Sequence, residues 1–245
     1  MCMRIPRFEI IFEGCKVHCF WKCHDDEYRL RERAFKELYY RLLLKYKDRY
    51  SVRITGYCLM DNHVHLTLMI KDPVEFSRFL QVVNSVFARK ANMLQARRHN
   101  LIADRPKTKV IADTARDELE ALCYLDANPF DTTRPVHPQD WEFSSYHYYA
   151  EGKSDPLITP SEAWLELGET DRERQEAYRE MVEQKLLAEM KASMDRLEGP
   201  GCYFGNPDWV IEEGKKLRKR LAQRKAAQPK TRTWPAPWNR GLKNS

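Results

Sequence analysis

"YCLMDNHVHLTLMI" (residues 57–70) places His63 and His65 two residues apart inside an apolar run. Successive side chains of a strand point to opposite faces, so residues i and i+2 share one face. The two imidazoles therefore project side by side, near enough to bind one metal ion. A strand that served only a core would carry Val or Ile at both positions. Two imidazoles make an incomplete site, and a third ligand is needed. Asp61-Asn62 has turn chemistry, and "SVRITGYCLM" before it has strand composition. The stretch predicts an antiparallel hairpin whose second strand opens with the histidines.

Outward from the hairpin, helices and strands alternate. "CKVHCFWKC" (15–23) is short, aromatic and bounded by polar residues, which predicts a strand. Leu30, Ala34, Leu38, Leu42 and Tyr46 recur at helical spacing. They predict a helix from Asp25 to about Lys47, with Asp25 or Asp26 as its N-cap. Asp72-Pro73 is a favourable helix start, and the amphipathic pattern after it runs to about Gln95. "TKVIAD" reads as a short strand. "DTARDELEALCYLDAN" reads as a helix that begins at Asp113 or Thr114 and is stopped by Pro129. The order β-α-β-β-α-β-α predicts an α+β domain, a ferredoxin-like antiparallel sheet with helices on one face.

That domain occupies residues 1–150. Beyond Tyr149 the character changes, and 151–213 reads as a linker ("GKSDPLITP") with a helical C-terminal segment. Residues 161–197 form a long charged helical stretch, "EGPGCYFGNPDW" is a turn-rich break, and a short helix follows. Residues 214–245 read as a basic, disordered tail. The net charge of +6 conceals this asymmetry: 214–245 holds 11 Lys/Arg and no Asp/Glu, leaving 31 basic against 36 acidic residues in 1–213. Basic arms of this kind contact nucleic acid or simply solubilise. No apolar run approaches the roughly 20 residues of a membrane span, and "MCMRIPRFEI" lacks the apolar core of a secretory signal. The expectation is a cytoplasmic chain without membrane contact. Seven cysteines, an odd number, read as reduced thiols.

On the helix 114–128, Tyr124 and Asn128 stand four apart and share a face, with Glu120 one turn earlier. A phenol and an oxygen ligand are thus presented together. Equally, Tyr124 reads as a core aromatic and Asn128 as a C-cap before Pro129.

"YCLMDNHVHL" resembles the His-hydrophobic-His signature of the HUH single-tyrosine transposases, and most closely the REP-associated tyrosine transposases. "CYLDANP" is similar to that subgroup's Tyr-x-x-x-Asn-Pro helix, "WEFSSYHYYAEGK" to its Trp-Ser-Ser-Tyr segment, and "FGNPDW" to its C-terminal Gly-Asn element. The likeness runs in order over about residues 5 to 213. It implies that His63, His65 and Asn128 bind a divalent metal ion, Mg²⁺ or Mn²⁺, and that Tyr124 is the nucleophile. It further implies cleavage and rejoining of single-stranded DNA beside hairpins through a covalent 5′-phosphotyrosine, by a monomer or homodimer. Arg97, Arg98, Lys107 and Lys109 are candidates for holding the DNA backbone. The sequence departs from the subgroup at "HNLIADRPKTKV", which replaces a Gly/Trp/Phe-rich stretch, and at "FDTTRP", where Asp131 stands in place of a basic residue.

Two rival readings compete. "CKVHCFWKCH" offers Cys15, His18, Cys19, Cys23 and His24 to a structural zinc ion, although no second ligand pair follows. The other rival is a catalytically silent, hairpin-binding regulator. It has no need of His63, His65, Tyr124 and Asn128 together.

Overall fold

The computed structural model describes residues 5–187 and 197–227. Its strands are β1 (Lys16–Lys22), β2 (Val52–Leu59), β3 (His63–Ile70), β4 (Lys107–Ile111) and β5 (Tyr203–Phe204). The helices are α1 (Arg33–Lys47), α2 (Pro73–Leu94), α3 (Ala115–Ala127), α4 (Tyr146–Glu151), α5 (Glu162–Leu165), α6 (Asp171–Leu187) and α7 (Pro207–Ala227). One sheet runs in the order β2-β3-β1-β4-β5. The first four strands pair antiparallel, as the ferredoxin-like expectation requires, and β5 adds parallel to β4.

The sheet is covered on both faces. Val17, Cys19 and Trp21 of β1 face α1 and α2: the Trp21 indole donates to Tyr39 of α1 at 2.8 Å, and its ring lies 6.0 Å from Phe87 of α2. His18, Phe20 and Lys22 face the other way, toward α3, where the His18 ring stands 6.3 Å from Tyr124. The expected one-sided helical layer is thus α1 and α2, and α3 forms a second layer over the histidine face. Asp72 caps α2 by accepting from the Val74 and Glu75 N–H groups, and Thr114 caps α3 by accepting from Asp117 N–H.

Gly56 lets α3 lie close to the sheet. A Cβ there would stand 2.6 Å from Thr67 Oγ1 and 2.7 Å from Leu122 Cδ2. Asp126 then ties α3 to its neighbours, accepting from Ser145 Oγ and from the Tyr178 hydroxyl of α6, each at 2.7 Å.

Several expected boundaries move. The first helix begins at Arg33 rather than near Asp25, because Asp25 and Asp26 both hold φ of 52° in the left-handed region. Leu30 fits the helical phase by coincidence. It is buried because its N–H donates to Asp61 O at 2.8 Å and seats it against the hairpin turn. The 161–197 stretch is broken between α5 and α6. Leu157 of the expected linker is fully buried, and Asp155 accepts from the Tyr40 and Tyr57 hydroxyls, so this segment packs on α1 and β2. The turn-rich "FGNPDW" region contains β5. The last helix is not short, and it takes residues 214–227 of the expected tail into α7. There Leu217 is buried, Arg224 pairs with Glu9, and Arg220 donates to Glu9 O at 3.1 Å. Residues 228–245, the rest of that tail, lie outside the described residues, as do 188–196.

Both outer rims of the sheet meet the chain's own backbone. β5 pairs the outer edge of β4. The outer edge of β2 is bridged at Ile54 by Ile158 and at Cys58 by Ser144. Among the described residues no helix is long and apolar enough to cross a membrane.

Candidate active site

His63 and His65 share the face covered by α3, with ring centroids 4.8 Å apart, and this site is built from their strand outward. The α3 helix places Tyr124 over them, 5.8 Å from the His65 ring and fully buried. Asn128, the first residue past α3, turns its amide oxygen to His63 Nε2 at 2.9 Å. The structure therefore brings His63, His65, Tyr124 and Asn128 together from two elements. Glu120 is not part of the group, because it pairs with Lys185 of α6 at 3.6 Å.

Three further residues complete the site. His18 of β1 lies one strand over, and its Nε2 meets His65 Nδ1 at 3.0 Å. Asn62 Oδ1 meets His63 Nδ1 at 2.7 Å. Glu198, arriving from the far end of the chain, accepts from the Tyr124 hydroxyl at 2.5 Å and stands 3.6 Å from His65 Nε2. Its other oxygen is 3.8 Å from Lys22 Nζ. His18 was available to sequence reasoning, since it sits on the even-numbered face of a recognised strand; what was lacking was the strand order that sets β1 beside β3. Glu198 left no local signal at all.

Burial governs the charges. It lowers His63 to about 4, against the Asn128 contact, and His18 to about 3. His65 is pushed well down by burial and by its two histidine neighbours. All three rings are neutral at pH 7. The Tyr124 hydroxyl is pushed far above its ordinary range, first by burial and then by the Glu198 carboxylate. A neutral imidazole carries one N–H. His63 nevertheless faces an amide oxygen from each ring nitrogen, so one of those contacts has no proton in it. His65 Nε2 is buried with no hydrogen-bond partner. A buried nitrogen without a partner, beside amide oxygens, offers a cation the donors it needs. The fit depends on mixed donors, because among the described residues no three His, Cys, Asp or Glu side chains gather into a metal cluster.

Two clefts open beside the site. One, of about 870 Å³, reaches His63 between Tyr28, Arg31, Asp131, Arg134 and Trp141. A smaller one, of about 280 Å³, reaches Glu198 past Lys22, Arg105 and Lys107. Lys107 is exposed on this side, with its Nζ 5.6 Å from the Phe20 ring centroid. Arg97 and Arg98 are exposed beyond α2, and Arg97 pairs with Glu27 at 3.0 Å. Lys109 does not reach the surface. It is opposite His18 in register, on the face that α3 covers, and is buried.

The rival elements separate. Cys15, Cys19 and Cys23 are buried free thiols, pushed up to about 11 by burial, while His18 points through the opposite face. Tyr57 turns away from the histidines and meets Tyr40 of α1 edge to face, with ring centroids 5.7 Å apart. Tyr146 and Tyr149 are buried in the core.

Comparison with known proteins bears on the family and the fold. Residues 11–105 match the family described as "Transposase IS200 like". No curated protein matches the chain. The structure is similar to that of a REP-associated tyrosine transposase bound to a REP hairpin, with a TM-score of 0.50 and 17% identity, covering 61% of this chain and 88% of that one. A protein from Deinococcus radiodurans R1 assigned to the transposases matches with a TM-score of 0.35 and 13% identity, over 48% of this chain and 93% of that one. Residues 11–105 are thus similar to the IS200-like transposases, and the chain shares the fold of a REP-associated tyrosine transposase.

Proposed function

We propose that this protein cleaves and rejoins single-stranded DNA beside hairpins, with Tyr124 as nucleophile and a divalent metal ion held by His63, His65 and Asn128. The observation that carries the reading is the convergence of two imidazoles, one with a buried nitrogen that lacks a hydrogen-bond partner, an amide oxygen and a phenol hydroxyl at one buried point. Bound there, the metal supplies Lewis-acid polarisation of the scissile phosphate.

The chain's own groups do the rest. Asn62 takes the His63 Nδ1 proton, which leaves the Nε2 lone pair free toward Asn128. His65 Nδ1–H donating to His18 Nε2 frees His65 Nε2 in the same way. The Tyr124 oxygen attacks phosphorus as its proton passes to Glu198, and the bond to the 3′ oxygen breaks, that oxygen taking up a proton from water. A 5′-phosphotyrosine and a free 3′-OH result. The phosphodiester energy is retained in the new ester, so a later 3′-OH can reverse the step without ATP. Before attack the phenol proton lies on the hydrogen bond to Glu198 Oε1. Lys22, Arg105 and Lys107 line the cleft leading to this point and suit a phosphate backbone.

Covalent capture tests the reading. Labelled single-stranded DNA carrying a hairpin is incubated with protein and Mn²⁺, and adducts are resolved under denaturing conditions. Wild type forms an adduct, and Tyr124→Phe, which keeps the ring, binds the DNA without forming one. An adduct with the Phe variant overturns the assignment of Tyr124. Binding without any wild-type adduct favours the silent regulator.

A further inference from the structure

Among the described residues, Glu198 is the carboxylate that reaches His65, and it comes from outside the residues that match the transposase family. Leu197 beside it is buried in the core and fixes its position. A single oxygen, Oε1, faces two groups at once: the Tyr124 hydroxyl at 2.5 Å and the orphaned His65 Nε2 at 3.6 Å. Two unlike requirements meet there. A neutral ring nitrogen without a hydrogen-bond partner is a ligand awaiting a cation. A carboxylate that is 16% exposed, with a lysine ammonium no nearer than 3.8 Å, is an anion with little compensation.

The donor set points the same way. His63, His65 and Asn128 are all uncharged. Mg²⁺ and Mn²⁺ are hard cations that favour carboxylate oxygen and bind weakly to neutral donors alone. Without Glu198 the proposed site has no negative charge. With it, the set becomes two imidazoles, an amide oxygen and a carboxylate, which must close on the cation because these side chains do not already stand as a metal cluster among the described residues.

Resting on the metal reading above, we propose that Glu198 is a ligand of the divalent cation and, through its hydrogen bond to Tyr124, the group that holds the nucleophile beside the metal. The C-terminal segment is then part of the catalytic centre. The competing role is a cover: a carboxylate occupying the place of the phosphate, to be displaced when DNA arrives. The two roles differ in what they do to metal affinity in the absence of DNA.

Calorimetric titration with Mn²⁺, without DNA, separates them. Four full-length proteins are compared: wild type, the His63→Ala/His65→Ala double variant, Glu198→Gln and Glu198→Ala. Glu198→Gln keeps the shape and the Tyr124 hydrogen bond and removes only the charge. Wild type binds Mn²⁺ and the double variant does not. Both Glu198 variants bind at least tenfold more weakly than wild type. The rise in melting temperature on adding Mn²⁺ shrinks in parallel, and the melts themselves verify that the variants are folded. If wild type binds, the double variant does not, and both Glu198 variants match wild type or bind more tightly, Glu198 is a cover and the proposal fails alone. If wild type binds no Mn²⁺, the metal reading fails and this proposal with it.

Discussion

Asp126 stands two residues from Tyr124, fully buried, and is held at about 7, above its ordinary 3.8, by burial working against the Tyr178 and Ser145 hydrogen bonds. Folded protein therefore keeps a proton that the unfolded chain releases between about pH 4 and pH 7. The stability that protonation contributes is complete below about pH 4 and lost as pH rises through about 7, on the order of 4 kcal/mol in all. The buried histidines act in the opposite sense. His18 and His63 are depressed to about 3 and 4, so their contribution is gained as pH rises toward 6.5. Only a difference isolates Asp126. We expect the stability of wild type relative to Asp126→Asn to decline between about pH 4 and pH 7 in denaturant melts. Parallel pH profiles for the two proteins would sink this account. At this scale strand parity brings out the histidine pair, and helical spacing sets Tyr124 with Asn128. Lys109 is buried while Lys107, on the same face of β4, is exposed, a difference that charge and strand parity alone do not give.

At the scale of elements, the approach of α3 to the sheet depends on Gly56. Gly56→Ala puts a methyl against Thr67 and Leu122, and also 3.2 Å from Ser145 Oγ. Those neighbours lie on β3, α3 and the segment before α4, so relief requires α3 to lift. Overpacking of this kind costs about 1–3 kcal/mol. We expect Gly56→Ala to lower the stability measured in denaturant melts by that amount and to reduce adduct formation more than hairpin binding, since Tyr124 rides on the displaced helix. Equal losses in binding and adduct formation would show that α3 did not move relative to the site. The hairpin, α2 and α3 were legible because each combines a strong period with a recognisable start or turn. The start of α1 was not: two aspartates that look like N-caps adopt left-handed backbone instead. β5 is two residues long, too short for any period to show.

At the scale of the whole molecule, positive charge is collected at the C-terminal end. Much of it lies on α7, where Arg220 and Arg224 are engaged with Glu9. Lys230, Arg232, Arg240 and Lys243 lie beyond that helix, with no acidic residue among 228–245. Deleting 228–245 removes no residue of α7 or of the site. We expect the truncated protein to form the adduct at low salt and to show a shallower dependence of DNA affinity on salt, by roughly 0.7 in log–log slope for each phosphate that is no longer neutralised. An unchanged slope would mean that this arm does not touch DNA. Sequence patterning placed the basic segment, but not the return of residues 197–204 to the sheet, because that return joins segments with no shared local pattern.

The two rims of the sheet decide how copies of this chain can meet. An open edge strand offers a row of unpaired backbone groups on which another molecule's strand can zip. Here the rim beyond β4 ends in β5, only two residues long, and the segments at Ser144 and Ile158 interrupt the other. Among the described residues, a strand from another molecule would find only short stretches of backbone to extend. Sheet-to-sheet association is thereby disfavoured relative to contacts made by side chains on the helical faces.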